Sequence, residues 1–252
     1  MFFPEHNRTW KALSTTFFSK ELQGFEVESK WRLLTENPVP TIIRFMDDMR
    51  AGRWNPVHIA KTMGKLPVGL RYFELQFEFW AIKDELESLS NYRQVAMVAV
   101  VPGADMFQVA FKAGGLPKFL CTDKQCLNPP LIRREERKGN WVREEEATII
   151  ILNRFPSADK VATMTRQKCY VYVHNLESRR NFSISADLCQ YKSKTLSQVE
   201  VEYKGRSGIW LPDVTGQHIT LDFLQIHRVL GERYGEIILP TTQTKMEWIT
   251  EG

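Results

Sequence analysis

"GFEVESKWRLL", residues Gly24 to Leu34, alternates apolar side chains with Glu26, Glu28 and Lys30. Side chains two apart share one face of a strand, so residues 25–34 read as a strand that aims two carboxylates and an ammonium at one side. That side faces either water or something that needs both charges. "VEVEYKG" (199–205) repeats the arrangement with Glu200, Glu202 and Lys204. Neighbouring like charges on a strand face repel unless water or a cation relieves them. A solvated face explains either copy alone. The two copies together, flanked by Phe25, Val27, Val199 and Val201, favour an inward face. Two facing pairs of carboxylates make a hard-oxygen site suited to Mg²⁺ or Mn²⁺.

The rest of the chain supplies a setting for such a face. With 252 residues, 43% hydrophobic and 25% charged, it can bury a sizeable core. A net charge of +4 is too mild to argue nucleic-acid binding by itself, so any function carried by charge lies in local placement. Cys121, Cys126, Cys169 and Cys189 match no tight zinc spacing and read as free thiols in a reducing compartment, two disulfides being the alternative. The N-terminus lacks a signal-peptide pattern, and no stretch approaches the ~20 apolar residues of a membrane span. A soluble cytoplasmic protein without membrane attachment is expected.

Along the chain, 1–24 reads as an N-terminal extension, and Pro38 and Pro40 end the first strand. "TIIRFMDDMRAG" (41–52) has helical spacing at Ile42, Phe45, Met46 and Met49. Strands are expected at 71–82, 93–101, 105–115, 131–139, 146–154, 162–175, 180–191 and 197–205, the fourth and fifth joined by a Gly-Asn turn at 139–140. Residues 83–90 read as a short helix or turn, 116–130 as loop, and 218–235 as a helix; the tail is ambiguous. Sequential strands with few helices argue an antiparallel eight-stranded barrel or tunnel, mainly β, which can hold a ligand inside.

Basic residues follow the same period of two. Lys112 ends "FQVAFK", Arg134 and Glu136 share a face of "IRREERK", and Arg166 and Lys168 share one with Tyr170 and Tyr172. Asp187 shares a face with Ser183 and Ser185. Each alone reads most simply as a surface charge. Collected inside one barrel they form a basic wall opposite an acidic one, a cavity suited to a polyphosphate.

In "FEVESK", in "FSISADLCQYKSKTLSQVEVEYKG", in "VAFK" and in "RREE" (133–136), with Arg166 and Lys168, the sequence resembles the CYTH family, the triphosphate tunnel metalloenzymes. The likeness spans residue 25 to about 205. It implies a tunnel domain over 25–252 with an insertion at about 35–70, binding a triphosphate-containing small molecule end-on. It implies one or two Mg²⁺ or Mn²⁺ ions on Glu26, Glu28, Asp187, Glu200 and Glu202. Lys30, Lys112, Arg134, Arg166, Lys168 and Lys204 would grip phosphate. In hydrolytic members a metal-oriented water attacks the terminal phosphorus, and Lys30, with Glu28 and Glu202, would carry catalysis. In cyclase members a ribose hydroxyl attacks instead. A third reading is a non-catalytic binder of a phosphorylated ligand or an RNA 5′ end, and a fourth an unrelated β-rich protein. One departure bears on the choice: where the family carries an arginine pair before the mid-barrel lysine, this chain reads "VAMVAVVPGAD".

Overall fold

A computed structural model describes residues 25–35, 37–60, 62–63, 66–67, 69–82, 94–113, 117–118, 131–206 and 216–250. The expectations for 1–24, for 83–90 and for nearly all of 116–130 lie outside these residues, as do Cys121 and Cys126.

The strands are β1 (Phe25–Leu33), β2 (Val57–Ile59), β3 (Thr62–Met63), β4 (Leu66–Pro67), β5 (Arg71–Ile82), β6 (Gln94–Val101), β7 (Met106–Ala113), β8 (Pro117–Lys118), β9 (Leu131–Val142), β10 (Ala158–Asn175), β11 (Arg180–Tyr191), β12 (Lys194–Arg206) and β13 (Ile238–Thr241). The helices are α1 (Pro38–Arg50), α2 (Glu144–Arg154), α3 (Gly216–Tyr234) and α4 (Lys245–Thr250). Eight long antiparallel strands follow one another in the order β1-β12-β11-β10-β5-β6-β7-β9. The sheet curls until β9 meets β1, where Phe25–Glu28 pair with Ile132–Glu135. The expected tunnel-like β architecture is thus present. None of the described helices is long and apolar enough to cross a membrane.

The period of two decides what faces where. Val27, Trp31 and Leu33 of β1, Val171 and Val173 of β10, Phe182 and Ile184 of β11, and Val199 and Val201 of β12 form one buried cluster with Ile42, Phe45 and Met49 of α1 and Phe223, Ile226 and Leu230 of α3. Those helices cover the outer face of the sheet, so the intervening residues, Glu28, Lys30, Asp187, Glu200 and Glu202 among them, face inward. The helix start at Pro38 has a local cause: Asn37 accepts from the Val39 amide at 3.1 Å and proline suits the first helical position. Pro38 therefore opens a helix instead of merely ending a strand. The segment 35–70 supplies α1 and β2, and β2 extends β10 past the end of β5, pairing with Val173–Asn175.

Two expectations change, and the ambiguous tail takes a definite form. Residues 146–154 form α2, not a strand. Only Ala147 and Ile151, four apart, are buried there, and three glutamates crowd its first turn, where the helix dipole favours them. Residues 139–140 are not a turn between two strands. β9 runs on to Val142, with Ala110 opposite Lys138 and Gln108 opposite Trp141, so β9 carries one extra residue as a bulge. The Gln108 side-chain amide donates to the Gly139 carbonyl at 3.0 Å there. The ambiguous tail is β13, paired with β1, followed by α4.

Candidate active site

Glu200 is the hub of the interior. Burial alone would raise its pKa, but the charges of Lys245, Lys30, Arg166 and Lys168 hold the carboxyl well below the usual range. Lys30 Nζ lies 3.2 Å from Glu200 Oε1 and 3.1 Å from Glu28 Oε1. Arg166 donates to Glu200 Oε2 at 2.8 Å and to Asp187 Oδ2. Lys168 Nζ stands 3.7 Å from Glu200 Oε2.

Register explains the assembly. β1 and β12 pair so that Glu28 faces Glu202 and Lys30 faces Glu200. β12 and β11 place Glu202 beside Ser183 and Glu200 beside Ser185, while β10 sets Lys168 beside Asp187. Glu202 pairs with Lys204 and accepts from Ser183 at 3.5 Å. The two charged motifs of the sequence are thus neighbours on one inner surface.

Cations and anions interleave on β1, β12, β11 and β10, which corrects the expected basic wall opposite an acidic one. Buried like charges need partners within a few ångströms, and adjacent strands supply them. The wall beyond β10 is largely apolar: Leu75, Phe77 and Phe79 of β5 pack with Met97 and Ala99 of β6 and Met164 of β10. This is the stretch that lacks the arginine pair.

Two lysines respond differently to the cluster. Burial, and then the Arg166 charge, lower the pKa of Lys168. Burial and Arg166 also oppose the charge on Lys245, but Glu200 and Asp187 outweigh them and raise its pKa. Arg166, likewise buried, is held firmly charged by Asp187 and Glu200. Cys169 and Cys189 are buried thiols pushed up to about 11, unreactive by that measure.

Of the expected site residues, Glu28, Lys30, Arg166, Lys168, Asp187 and Glu200 form one cluster, with Glu202 and Lys204 beside it. Lys112 sits on β7, opposite Glu136 in register, on the far side of the ring from β11. Glu26 and Arg134 are register partners where β1 meets β9; their side chains lie outside the described residues.

Sequence reasoning missed Lys245. Its ammonium enters from α4, 2.6 Å from Glu200 Oε1 and 3.1 Å from Asp187 Oδ2. Behind it Met246, Trp248 and Ile249 pack against Phe77, Phe79 and Leu196, so α4 fills one end of the interior with apolar side chains. A signal was present: "TKME" (244–247) is a capping box. Thr244 Oγ1 accepts from the Glu247 amide at 3.1 Å, and Glu247 Oε2 accepts from the Thr244 amide at 2.7 Å.

At the level of sequence, no family model and no curated protein matches the chain. Among solved structures it is similar to HpAC1 of Hippeastrum, an adenylyl cyclase candidate described as having a dominant triphosphatase activity. The TM-score is 0.51 at 10% identity, over 89% of this chain and 94% of that one. PH1819 of Pyrococcus horikoshii aligns over 88% of this chain and 97% of its own at 12% identity and TM-score 0.48. The Pct1 RNA triphosphatase of S. pombe aligns over 91% and 93% at 9% identity and TM-score 0.45. The likeness to HpAC1 is one of fold: the curled antiparallel sheet is that of the triphosphate tunnel proteins.

Proposed function

We propose that the chain is a metal-dependent triphosphatase that hydrolyses a phosphoanhydride of inorganic triphosphate or of a nucleoside or other organic triphosphate. The observation that carries this reading is the inner cluster in which buried Lys30 and the mostly buried Arg166, Lys168 and Lys245 surround buried Glu28, Asp187 and Glu200. A water-excluded set of fixed cations strengthens every contact to phosphate oxygens. Lys30, Arg166 and Lys168 would hold the phosphate chain, with Lys204 toward the Glu202 end and Lys112 and Arg134 from the other strands.

The donors suit Mg²⁺ or Mn²⁺ in kind, being carboxylate oxygens. Asp187 is fully buried, and its Oδ1 has no hydrogen-bond partner among the described atoms, as a carboxylate kept for a cation would be. Among the described residues, however, no three such ligands already converge on one point; ammonium and guanidinium groups stand between them. Asp187, Glu200, Glu202 and Glu28, together with Glu26, would therefore hold the ion once Lys245 gives up part of its contact. When bound, the ion would polarise phosphate oxygens and orient water. Lys30, between Glu28 and Glu200, would fix that water, while Glu28 and Glu202 hold Lys30 and Lys204 in position.

The test is phosphate release from inorganic triphosphate, ATP, GTP and thiamine triphosphate with Mg²⁺ or Mn²⁺, for wild type, Glu28→Gln and Glu202→Gln. Loss of at least about 100-fold in both variants is expected from removing charge at a metal site. Full metal-dependent activity in both would defeat the assignment. Pyrophosphate released with a cyclic nucleotide would mark a cyclase instead.

A second reading rests on β6. Met97 and Ala99 stand on the inner face where the family carries its arginine pair, which favours a binder that holds a triphosphate or an RNA 5′ end without cutting it. Thermal stabilisation by triphosphate plus metal, with no phosphate release, would select it.

A further inference from the structure

The inner face of β10 does not stop at its charges. Its inward residues run Met164, Arg166, Lys168, Tyr170, Tyr172 and His174. Met164 belongs to the end filled by α4, so the tyrosines lie beyond the cations toward the other end. Both are half-buried, unlike the fully buried apolar residues of the outer face.

They are also grouped. Tyr170 meets Tyr172 edge to face with ring centroids 5.3 Å apart, and Phe73 of β5 meets Tyr170 in the same manner at 5.7 Å. Lys168 Nζ lies 6.0 Å from the Tyr170 ring centroid, so the aromatic group begins where the phosphate-binding cations end. Lys204 and Arg71 place positive charge near the Tyr172 hydroxyl. The backbone there is pinned from outside the long strands, the Ala60 amide donating to the Tyr172 carbonyl at 2.9 Å.

We propose that Tyr170, Tyr172 and Phe73 form a base-stacking subsite, and that the ligand is a nucleoside 5′-triphosphate, not inorganic triphosphate. This rests on the triphosphate reading above and narrows it. With the phosphate chain on Lys30, Arg166 and Lys168, the nucleoside projects past Lys168 onto these rings. Aromatic faces accept any base with little selectivity, and half-buried rings present such a face at small cost in side-chain order. The site therefore distinguishes nucleotides from inorganic triphosphate without choosing strongly between adenine and guanine.

Binding of ATP, GTP and inorganic triphosphate is measured by calorimetry for wild type, Tyr170→Ala, Tyr172→Ala and Tyr170→Phe, each checked for folding by circular dichroism. Wild type should bind both nucleotides more tightly than inorganic triphosphate. Each alanine variant should lose about tenfold for nucleotides and stay within about twofold for inorganic triphosphate, and Tyr170→Phe should behave as wild type. A 2-aminopurine nucleoside triphosphate should lose fluorescence on binding wild type but not Tyr170→Ala. Equal loss for all three ligands, or no loss for any, overturns the subsite. If wild type binds inorganic triphosphate as well as ATP, the subsite is wrong and the triphosphate reading stands. If it binds none of the three, both fall.

Discussion

The Lys245 ammonium, carried on α4, stands 2.6 Å from Glu200 Oε1 on β12, so a residue distant from both charged motifs in sequence pairs with a buried carboxylate of the second. On the proposed metal-dependent reading, a divalent ion entering at Glu200 and Asp187 would compete with that ammonium. Lys245→Met should lower the melting temperature in chelator-treated buffer, because two buried carboxylates lose a partner. Addition of Mn²⁺ should then raise it by more than in wild type, since binding is no longer opposed. Equal Mn²⁺-induced shifts in the two proteins would show that Lys245 and the metal do not compete.

Glu200 interacts with four cations at once, Lys30, Arg166, Lys168 and Lys245. Glu200→Ala should cost about 3–5 kcal/mol, the penalty of leaving buried charges uncompensated, read by urea denaturation. Removing one stranded cation should return part of that loss, so Glu200→Ala with Lys245→Met should be less destabilised than the sum of the single changes. Strict additivity would mean that the two residues are not coupled.

The site was legible in the sequence where the period of two was strict. β1 and β12 each alternate charge with apolar residues, and their pairing brings Glu28 to Glu202 and Lys30 to Glu200. What the pattern could not carry was distance around the ring. Lys112 and Arg166 are equivalent in the pattern as inward cations, yet β10 adjoins β11 with its Asp187, and β7 lies across the ring from β11. The Ile149–Ile151 run in α2 misled because β-branched residues imitate a strand, while burial at Ala147 and Ile151 follows a helical stripe. Lys245 lies far from either motif in sequence, and no local rule ties a capping box at 244–247 to a carboxylate on β12.

His227 of α3 lies behind β1, on the covered side. Its Nε2 is 2.7 Å from Ser29 Oγ, its ring meets Trp31 edge on, and burial pushes its pKa down to about 3. The unfolded chain takes up this proton near pH 6.5 and the folded chain only near 3. The stabilising contribution is therefore complete above about 6.5 and is lost as pH falls toward 3. Between pH 6.5 and 4.5 it amounts to roughly 2–3 kcal/mol. In His227→Leu the fall in stability over that interval should be shallower by about this amount, measured as unfolding free energy against pH. A curve parallel to wild type would place the acid sensitivity elsewhere.

Tyr234 ties the segment 35–70 to the last long helix. Its hydroxyl donates to Asp48 Oδ2 at 2.6 Å and accepts from Trp54 Nε1 at 3.1 Å, and its ring packs on Phe45 with centroids 4.5 Å apart. Burial opposes the charge on Asp48, but hydrogen bonds from Tyr234, Arg53 and Arg233 keep its pKa below the usual value. Tyr234→Phe keeps the ring and removes both hydrogen bonds, so a buried indole N–H and a half-satisfied carboxylate remain, at about 1–3 kcal/mol. Because Val57 and Ala60 follow Trp54 closely and hold β2 against β10, the loosening should reach them first. Hydrogen exchange should quicken at the Val57 and Ala60 amides, which donate to the Trp54 and Tyr172 carbonyls, while β11 and β12 keep their protection. Uniform quickening across all strands would mean that Tyr234 supports the whole fold and not the attachment of β2 to β10.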